Sequence, residues 1–295
     1  MKETAVTFGS QAELLGVMTE PEGPSGPIGP PPPALIVLNA GLLHKVGPNR
    51  LSVELARAVA KSGFRVLRFD LSGIGDSKMI SANVPIRERA VRDVQAAMNF
   101  FAEHHGIDRF LLAGLCSGSD NAHYTSLQDE RVVGCIHLDG YCVRNAQYYA
   151  KYYGGRLLSW RVLRSKLQPR REIERVQGQR PAPNARTRKF PSWEKLTDHF
   201  TVLTSRGLRL LCIYTGESRT YNHKGQLREA LHTVRFGDLL EEEFYPLAAH
   251  TFTSLASRRR VVMRVTEWLV QHWGPVGLAR VPRGPTQAPD NDANA

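Results

Sequence analysis

The 295-residue chain has no apolar run approaching the roughly 18–20 residues that cross a bilayer, so no segment reads as a membrane span. Its start, Met1-Lys2-Glu3-Thr4, leads into no apolar core of an export signal, and a cytoplasmic location is the expectation. Cysteine is scarce. The four present (Cys116, Cys135, Cys142, Cys212) form no Cys-x-x-Cys pair and no His/Cys group at metal spacing, which argues against a disulfide framework or a structural metal. No cofactor is expected, and no internal repeat is present. Acidic residues are missing from one region in particular. Between Val143 and Phe190 there are thirteen Lys/Arg against Glu172 and Glu174, an excess equal to the whole net charge of +11. The rest of the chain is formally neutral, so the basic character has to be explained in that segment.

What is present is ordinary globular sequence, 42% hydrophobic and 23% charged, long enough to bury a large core. Residues 4–19 fit a hairpin, and the Pro/Gly stretch from Pro21 to Pro33 fits an exposed loop. Ala34-Leu35-Ile36-Val37-Leu38 is a continuous apolar run of the kind buried on both faces of a parallel sheet, Phe64–Phe69 reads as the next strand, Phe110–Leu115 and Val132–Leu138 as two further buried strands, and Leu208–Tyr214 as a later one. Helical spacing covers 50–61, Ile86 to His105, the neighbourhood of 224–233 and roughly Ser254–Trp273, with a short strand around Glu243-Phe244-Tyr245. Strand–helix repetition predicts an α/β architecture, a mostly parallel central sheet with helices on both faces. The core is expected over 1–141 and 197–275, with a basic insertion at 142–196 and a disordered tail at 276–295.

The chemistry centres on Gly114-Leu115-Cys116-Ser117-Gly118, between an apolar strand and a helix. A nucleophile held at a sharp strand-to-helix turn adopts a strained backbone conformation, and a side chain two positions to either side would strike the neighbouring element. The flanking glycines are therefore a steric signature around Cys116. Ser117 lacks such flanks, since Leu115 and Ser119 stand two positions away. The base should come late in the chain, on the loop after the last strand. His44, His123 and His250 lie where a sheet's C-terminal edge could present them, and His250 has the right place. His104, His105, His199, His232 and His272 fall on predicted helices and are expected to face solvent. For the acid, Glu217 follows strand Leu208–Tyr214 and is favoured over Asp139, at the end of Val132–Leu138; Asp238 is a third candidate. The oxyanion donors are expected to be the backbone N–H groups of Ser117 and Leu42, with Gly41 allowing close approach of the chain.

These residues resemble the α/β-hydrolase superfamily, over roughly 34–141 and 208–272. Asn39-Ala40-Gly41 stands in the place of that family's oxyanion loop. Asp70-Leu71-Ser72-Gly73-Ile74-Gly75-Asp76-Ser77 looks like its Asp-x-x-Gly-x-Gly-x-Ser turn, and His250-Thr251-Phe252 is similar to its late His-x-Phe. The resemblance implies an α/β-hydrolase fold with an inserted helical lid at 142–196. Within that superfamily the chain resembles serine-aminopeptidase-like hydrolases, with the cysteine of dienelactone hydrolases in the elbow.

A thiolate is a far better nucleophile than an alcohol near neutral pH, and a helix N-terminus with a histidine lowers a thiol pKa from ~8.5 into the range of roughly 3.5–7.5. Such a pair suits esters, lactones and thioesters. Amides suit it least, because thiolate leaves the tetrahedral intermediate more readily than a poor amine. The expected activity is hydrolysis of an activated acyl bond, ester or thioester, through an acyl-cysteine. The alternatives are an acyltransferase using the same intermediate and a catalytically silent binding protein. Tyr148-Tyr149, Tyr152-Tyr153, Trp160 and Leu163 alternate with Lys151, Arg156, Arg161 and Arg164 in the insertion. That pattern gives a lid with a cationic rim, in which Arg156 and Arg161 would hold an anionic small-molecule substrate or touch an anionic membrane surface. No nucleic-acid partner is expected.

Overall fold

The computed structural model describes residues 1–22, 31–80, 82–157 and 188–274, with backbone alone for 154–157. Most of the expected Pro/Gly loop, Trp160–Arg164 with Arg161, and the tail at 276–295 lie outside the described residues.

The chain opens with the hairpin β1 (Lys2–Phe8) and β2 (Leu14–Glu20), followed by β3 (Ala34–Leu38), α1 (Leu51–Lys61), β4 (Val66–Phe69), α2 (Ile86–His105) and β5 (Phe110–Leu115). Next come α3 (Ser117–Gln128), β6 (Val132–Leu138), α4 (Ala146–Leu157), α5 (Trp193–Ser205) and β7 (Arg209–Thr215). The short α6 (Gln226–Ala230), β8 (Leu240–Tyr245) and α7 (Leu255–Trp273) close the chain. The eight strands form one sheet in the order β1-β2-β4-β3-β5-β6-β7-β8. β1 and β2 pair antiparallel, β2 also runs antiparallel to β4, and every later pairing is parallel.

The apolar runs explain this arrangement. Every residue of β3 and β5 is buried, as a strand covered on both faces must be. Alternate side chains feed two cores. On one face Ile36, Phe110, Leu112, Leu210 and Tyr214 pack with Val94 and Met98 of α2 and Phe200 of α5. On the other, Leu35, Val37, Leu111, Ile136 and Ile213 pack with Leu55 and Val59 of α1 and Val265 and Trp268 of α7. At the C-terminus of α2, Gly106 takes the left-handed conformation (φ 62°) that usually ends helices. At the start of α7, the Ser254 hydroxyl caps the helix by accepting from the Ser257 N–H at 3.1 Å. The helix expected near 224–233 is confined to Gln226–Ala230, and β8 begins three residues earlier than its most apolar residues suggest. All the parallel strands point their C-terminal ends to one edge, where an α/β sheet places its sites.

Two histidines placed on predicted surface helices are not solvent-facing. His272 bonds Glu241 at 3.0 Å, and His199 bonds the buried His123 at 2.9 Å.

Candidate active site

β5 ends at Leu115 and α3 begins at Ser117, leaving Cys116 alone at the corner with φ 56° and ψ −115°. Such angles are costly for a non-glycine residue and persist only where the surroundings over-determine them. The surroundings here are specific. The Cys116 N–H donates to the Leu138 carbonyl at 2.9 Å, tying the corner to β6. A Cβ on Gly114 would lie 2.1 Å from the Gly118 carbonyl carbon, and one on Gly118 would lie 2.6 Å from the Asn39 carbonyl oxygen. The two glycines are thus required by contact of strand with helix and of helix with the 39–45 loop.

His250 reaches the corner from the loop between β8 and α7. Its ring shares a hydrogen bond with the Cys116 thiol, and its Nδ1 bonds Asp139 Oδ2 at 2.6 Å. The carboxylate on the ring is therefore Asp139, not the favoured Glu217. Asp139, at the end of β6, sits at φ 47° and is buried. Its Oδ1 accepts the Thr215 N–H and its Oδ2 the Thr215 hydroxyl, both at 2.7 Å, so the end of β7 fixes the carboxylate toward the ring. Glu217 lies exposed in the turn after β7, and its Oε2 instead accepts the His250 backbone N–H at 2.8 Å. It holds the loop that carries His250. Asp238 pairs with Arg209 and takes no part in the site.

Charge at the corner follows from these bonds. The hydrogen bond to Asp139 first, and that to Cys116 second, raise the His250 pKa to about 10. The Cys116 thiol is lowered, chiefly by its bond to His250 and further by the charge of Arg188, against the opposing cost of burial. Both shifts favour a thiolate–imidazolium pair. The other three cysteines are buried and pushed the opposite way, Cys135 to about 12.

On the other side of Cys116, the Gly41 N–H donates to Ser117 Oγ at 2.7 Å. Gly41 has φ 62°, and the Leu43 N–H closes a turn onto the Ala40 carbonyl at 3.1 Å. The N–H brought to the elbow is therefore that of Gly41. Leu42, expected to be the donor, puts a 75% exposed side chain at the tip of this turn. Buried Asp70 anchors the loop, accepting Asn39 Nδ2 (3.0 Å), the Lys45 N–H (2.6 Å) and Lys45 Nζ (2.9 Å). His44, Asp70 and Asp76 offer ligand atoms close enough together for a metal ion, but the Lys45 ammonium, bonded to both aspartates, supplies that positive charge.

Of the other expected residues, His44 bonds Asp76 and His123 is buried within α3 away from the ring of His250. Arg156 belongs to the stretch of α4 described by backbone alone. Arg188 is one of the thirteen basic residues between Val143 and Phe190, and the sequence does not mark it as part of the site. Its Nε and Nη2 grip Asp120 at 2.7 and 2.5 Å, and its Nη1 donates to the Asp139 carbonyl at 3.0 Å. The sequence signals only local basic density there, which does not single out one arginine.

A mostly parallel sheet with a strained strand-to-helix corner after its fifth strand and a late histidine defines the α/β-hydrolase fold. Residues 33–161 match a family model described as the alpha/beta hydrolase fold. Among solved structures, the chain is similar to a candidate dienelactone hydrolase from Klebsiella pneumoniae subsp. pneumoniae, at 17% identity and TM-score 0.57, over 92% of this chain and 99% of that one. It is also similar to the carboxylesterase CesB of Bacillus subtilis (17% identity, TM-score 0.54, 91% and 92% covered). The esterase domain of a Rhodothermus marinus protein aligns at 15% identity and TM-score 0.53, covering 92% of this chain and 99% of that one. No curated protein matches the sequence. Among the described residues, no helix is long and apolar enough to cross a membrane.

Proposed function

We propose that this protein is an esterase-type hydrolase that cleaves an activated acyl bond, ester or thioester, through an acyl intermediate on Cys116. The observation that carries the reading is the chain of bonds from Asp139 through His250 to Cys116, at a corner whose backbone is held at φ 56°. The Cys116 thiolate adds to the acyl carbon, forming the C–S bond. The N–H groups of Gly41 and Ser117 would receive the developing oxyanion once the Ser117 hydroxyl yields its bond to Gly41. The tetrahedral species collapses with loss of the alkoxide or thiolate, which takes a proton from the His250 imidazolium. Neutral His250 then draws a proton from water as that water adds to the acyl-cysteine, and release of the carboxylic acid restores the starting pair. Asp139 fixes the tautomer and orientation of His250. The structural neighbours named as an esterase domain and a carboxylesterase support the ester part of this reading.

Incubation with p-nitrophenyl and CoA acyl esters of several chain lengths, quenched early and read by intact mass, tests the reading. The expected result is an acyl adduct that Cys116→Ala abolishes and that decays in water. An adduct that decays only when an alcohol or amine is added would make the protein a transferase. Neither adduct nor turnover with any chain length would leave it a binding protein.

A further inference from the structure

The fold joins the two halves of the site through a residue outside the catalytic chain. Arg188 lies in the stretch leading into α5, far in sequence from both Cys116 and Asp139. Its guanidinium forms a two-point ion pair with Asp120, one turn along α3 from Cys116, and donates through its remaining nitrogen to the backbone carbonyl of Asp139. Its carbon centre lies 5.2 Å from the ring centroid of Tyr141 and 4.7 Å from that of Phe190. The Asp120 side chain is largely buried and the Arg188 side chain four-fifths so, which limits how far solvent weakens the pair. The Cys116 N–H ties the corner to the Leu138 carbonyl at the end of β6, but the side chains of Cys116 and Asp139 are bridged by His250, which comes from an exposed loop.

We propose that Arg188 is a positioning residue that clamps the helix bearing Cys116 to the turn bearing Asp139, so that nucleophile and acid hold their separation while His250 moves its proton between them. A guanidinium is suited to this because its planar fork fixes direction as well as distance, and because it keeps its charge throughout the working pH range. The same charge faces the thiol. Cys116 is faced by the imidazole of His250 from the β8–α7 loop, by Asp120 from α3, and by Arg188. Asp139 acts on it through the ring, and buried His137 lies beneath on β6. Of these, Arg188 and the His250 imidazolium favour the thiolate, while Asp120 opposes it. Removing Arg188 would therefore free the carboxylate of Asp120 to act on Cys116 uncompensated.

This inference rests on the acyl-cysteine reading, and one experiment separates the two. The rate at which Cys116 is alkylated by iodoacetamide, followed by mass as a function of pH, gives the midpoint of thiolate formation. The wild-type midpoint should lie well below the ordinary thiol value. In Arg188→Gln it should rise by about one unit, and turnover should fall by at least tenfold in kcat with a smaller change in KM. Arg188→Lys should restore the midpoint to within half a unit but not kcat, since it returns the charge without the fork. A depressed wild-type midpoint that Arg188→Gln leaves in place would overturn this inference alone. An ordinary wild-type midpoint would overturn the acyl-cysteine reading and this inference with it. Should the glutamine variant fail to fold, Arg188→Lys decides: wild-type kcat in that variant would remove the clamp.

Discussion

At the scale of single residues, two carboxylates lie near His250 and only one addresses its ring. Asp139→Asn is expected to lower kcat about 10³–10⁴-fold, because an amide in that place holds the wrong imidazole tautomer. Glu217→Gln keeps an acceptor for the His250 backbone N–H and should cost less than tenfold. Steady-state kinetics of the two variants side by side check the assignment, and equal losses would contradict it. The pKa shifts also fix a pH profile. The thiol is lowered and His250 is raised to about 10, so kcat/KM should climb as Cys116 ionises below its ordinary value and fall as His250 loses its proton near pH 10. An alkaline limb near pH 7 would mean that His250 is not held by Asp139.

At the scale of elements, the corner is a meeting of three backbones: the end of β5, the first turn of α3 and the 39–45 loop. Gly118→Ala would force a methyl against the Asn39 carbonyl, at a cost of about 3 kcal/mol, as overpacking of a rigid site does. It should reduce both the melting temperature and kcat. Asp70 does related work from further back. It is fully buried and neutralised by the buried Lys45 ammonium while also fixing Asn39. Asp70→Ala would leave that ammonium short of a partner, a change that costs about 3–5 kcal/mol when a buried pair is broken from one side. Denaturant unfolding measures it. A loss below 1 kcal/mol would show that Asp76 alone suffices to balance Lys45.

At the scale of the whole molecule, acid stability turns on histidines buried beneath the elbow helix. His137 bonds the Ser119 hydroxyl at 2.8 Å, and His123 bonds His199. Among the described residues, His137 Nε2 and His123 Nδ1 have no partner. Burial pushes His137 down to about 4 and His123 well below its ordinary value. Both are neutral in the folded state, whereas an unfolded imidazole takes a proton below about pH 6.5. The unfolded state therefore binds more protons between pH 6.5 and 4, and stability falls as pH falls through that window. His137 alone accounts for a loss on the order of 3 kcal/mol. His250, with its raised pKa, is protonated in the folded state throughout, so as its unfolded form gains a proton around pH 6.5 it contributes a slope of opposite sign, which is complete below about pH 5.5. Unfolding free energies measured at pH 7, 5.5 and 4 test this, and His137→Gln should flatten the decline.

The alternation of apolar runs with amphipathic helices determined the parallel sheet, because a strand buried on both faces has to be apolar throughout. The same logic made the elbow legible: a corner that admits no Cβ at Gly114 or Gly118 writes itself into five consecutive residues. His250 could be read from chain order, since the loop after the last strand faces the corner whatever its sequence. Three things belong to the tertiary structure. Asp139 and Glu217 both follow the ends of neighbouring strands, and only the grip of Thr215 on Asp139 turns one carboxylate to the ring. Gly41 and Leu42 differ by one residue along a tight turn, and the turn's geometry selects which N–H meets Ser117. Arg188 is one of thirteen basic residues in its segment, and its role depends on Asp120 and Asp139, which lie 68 and 49 residues away and are joined to it only by folding.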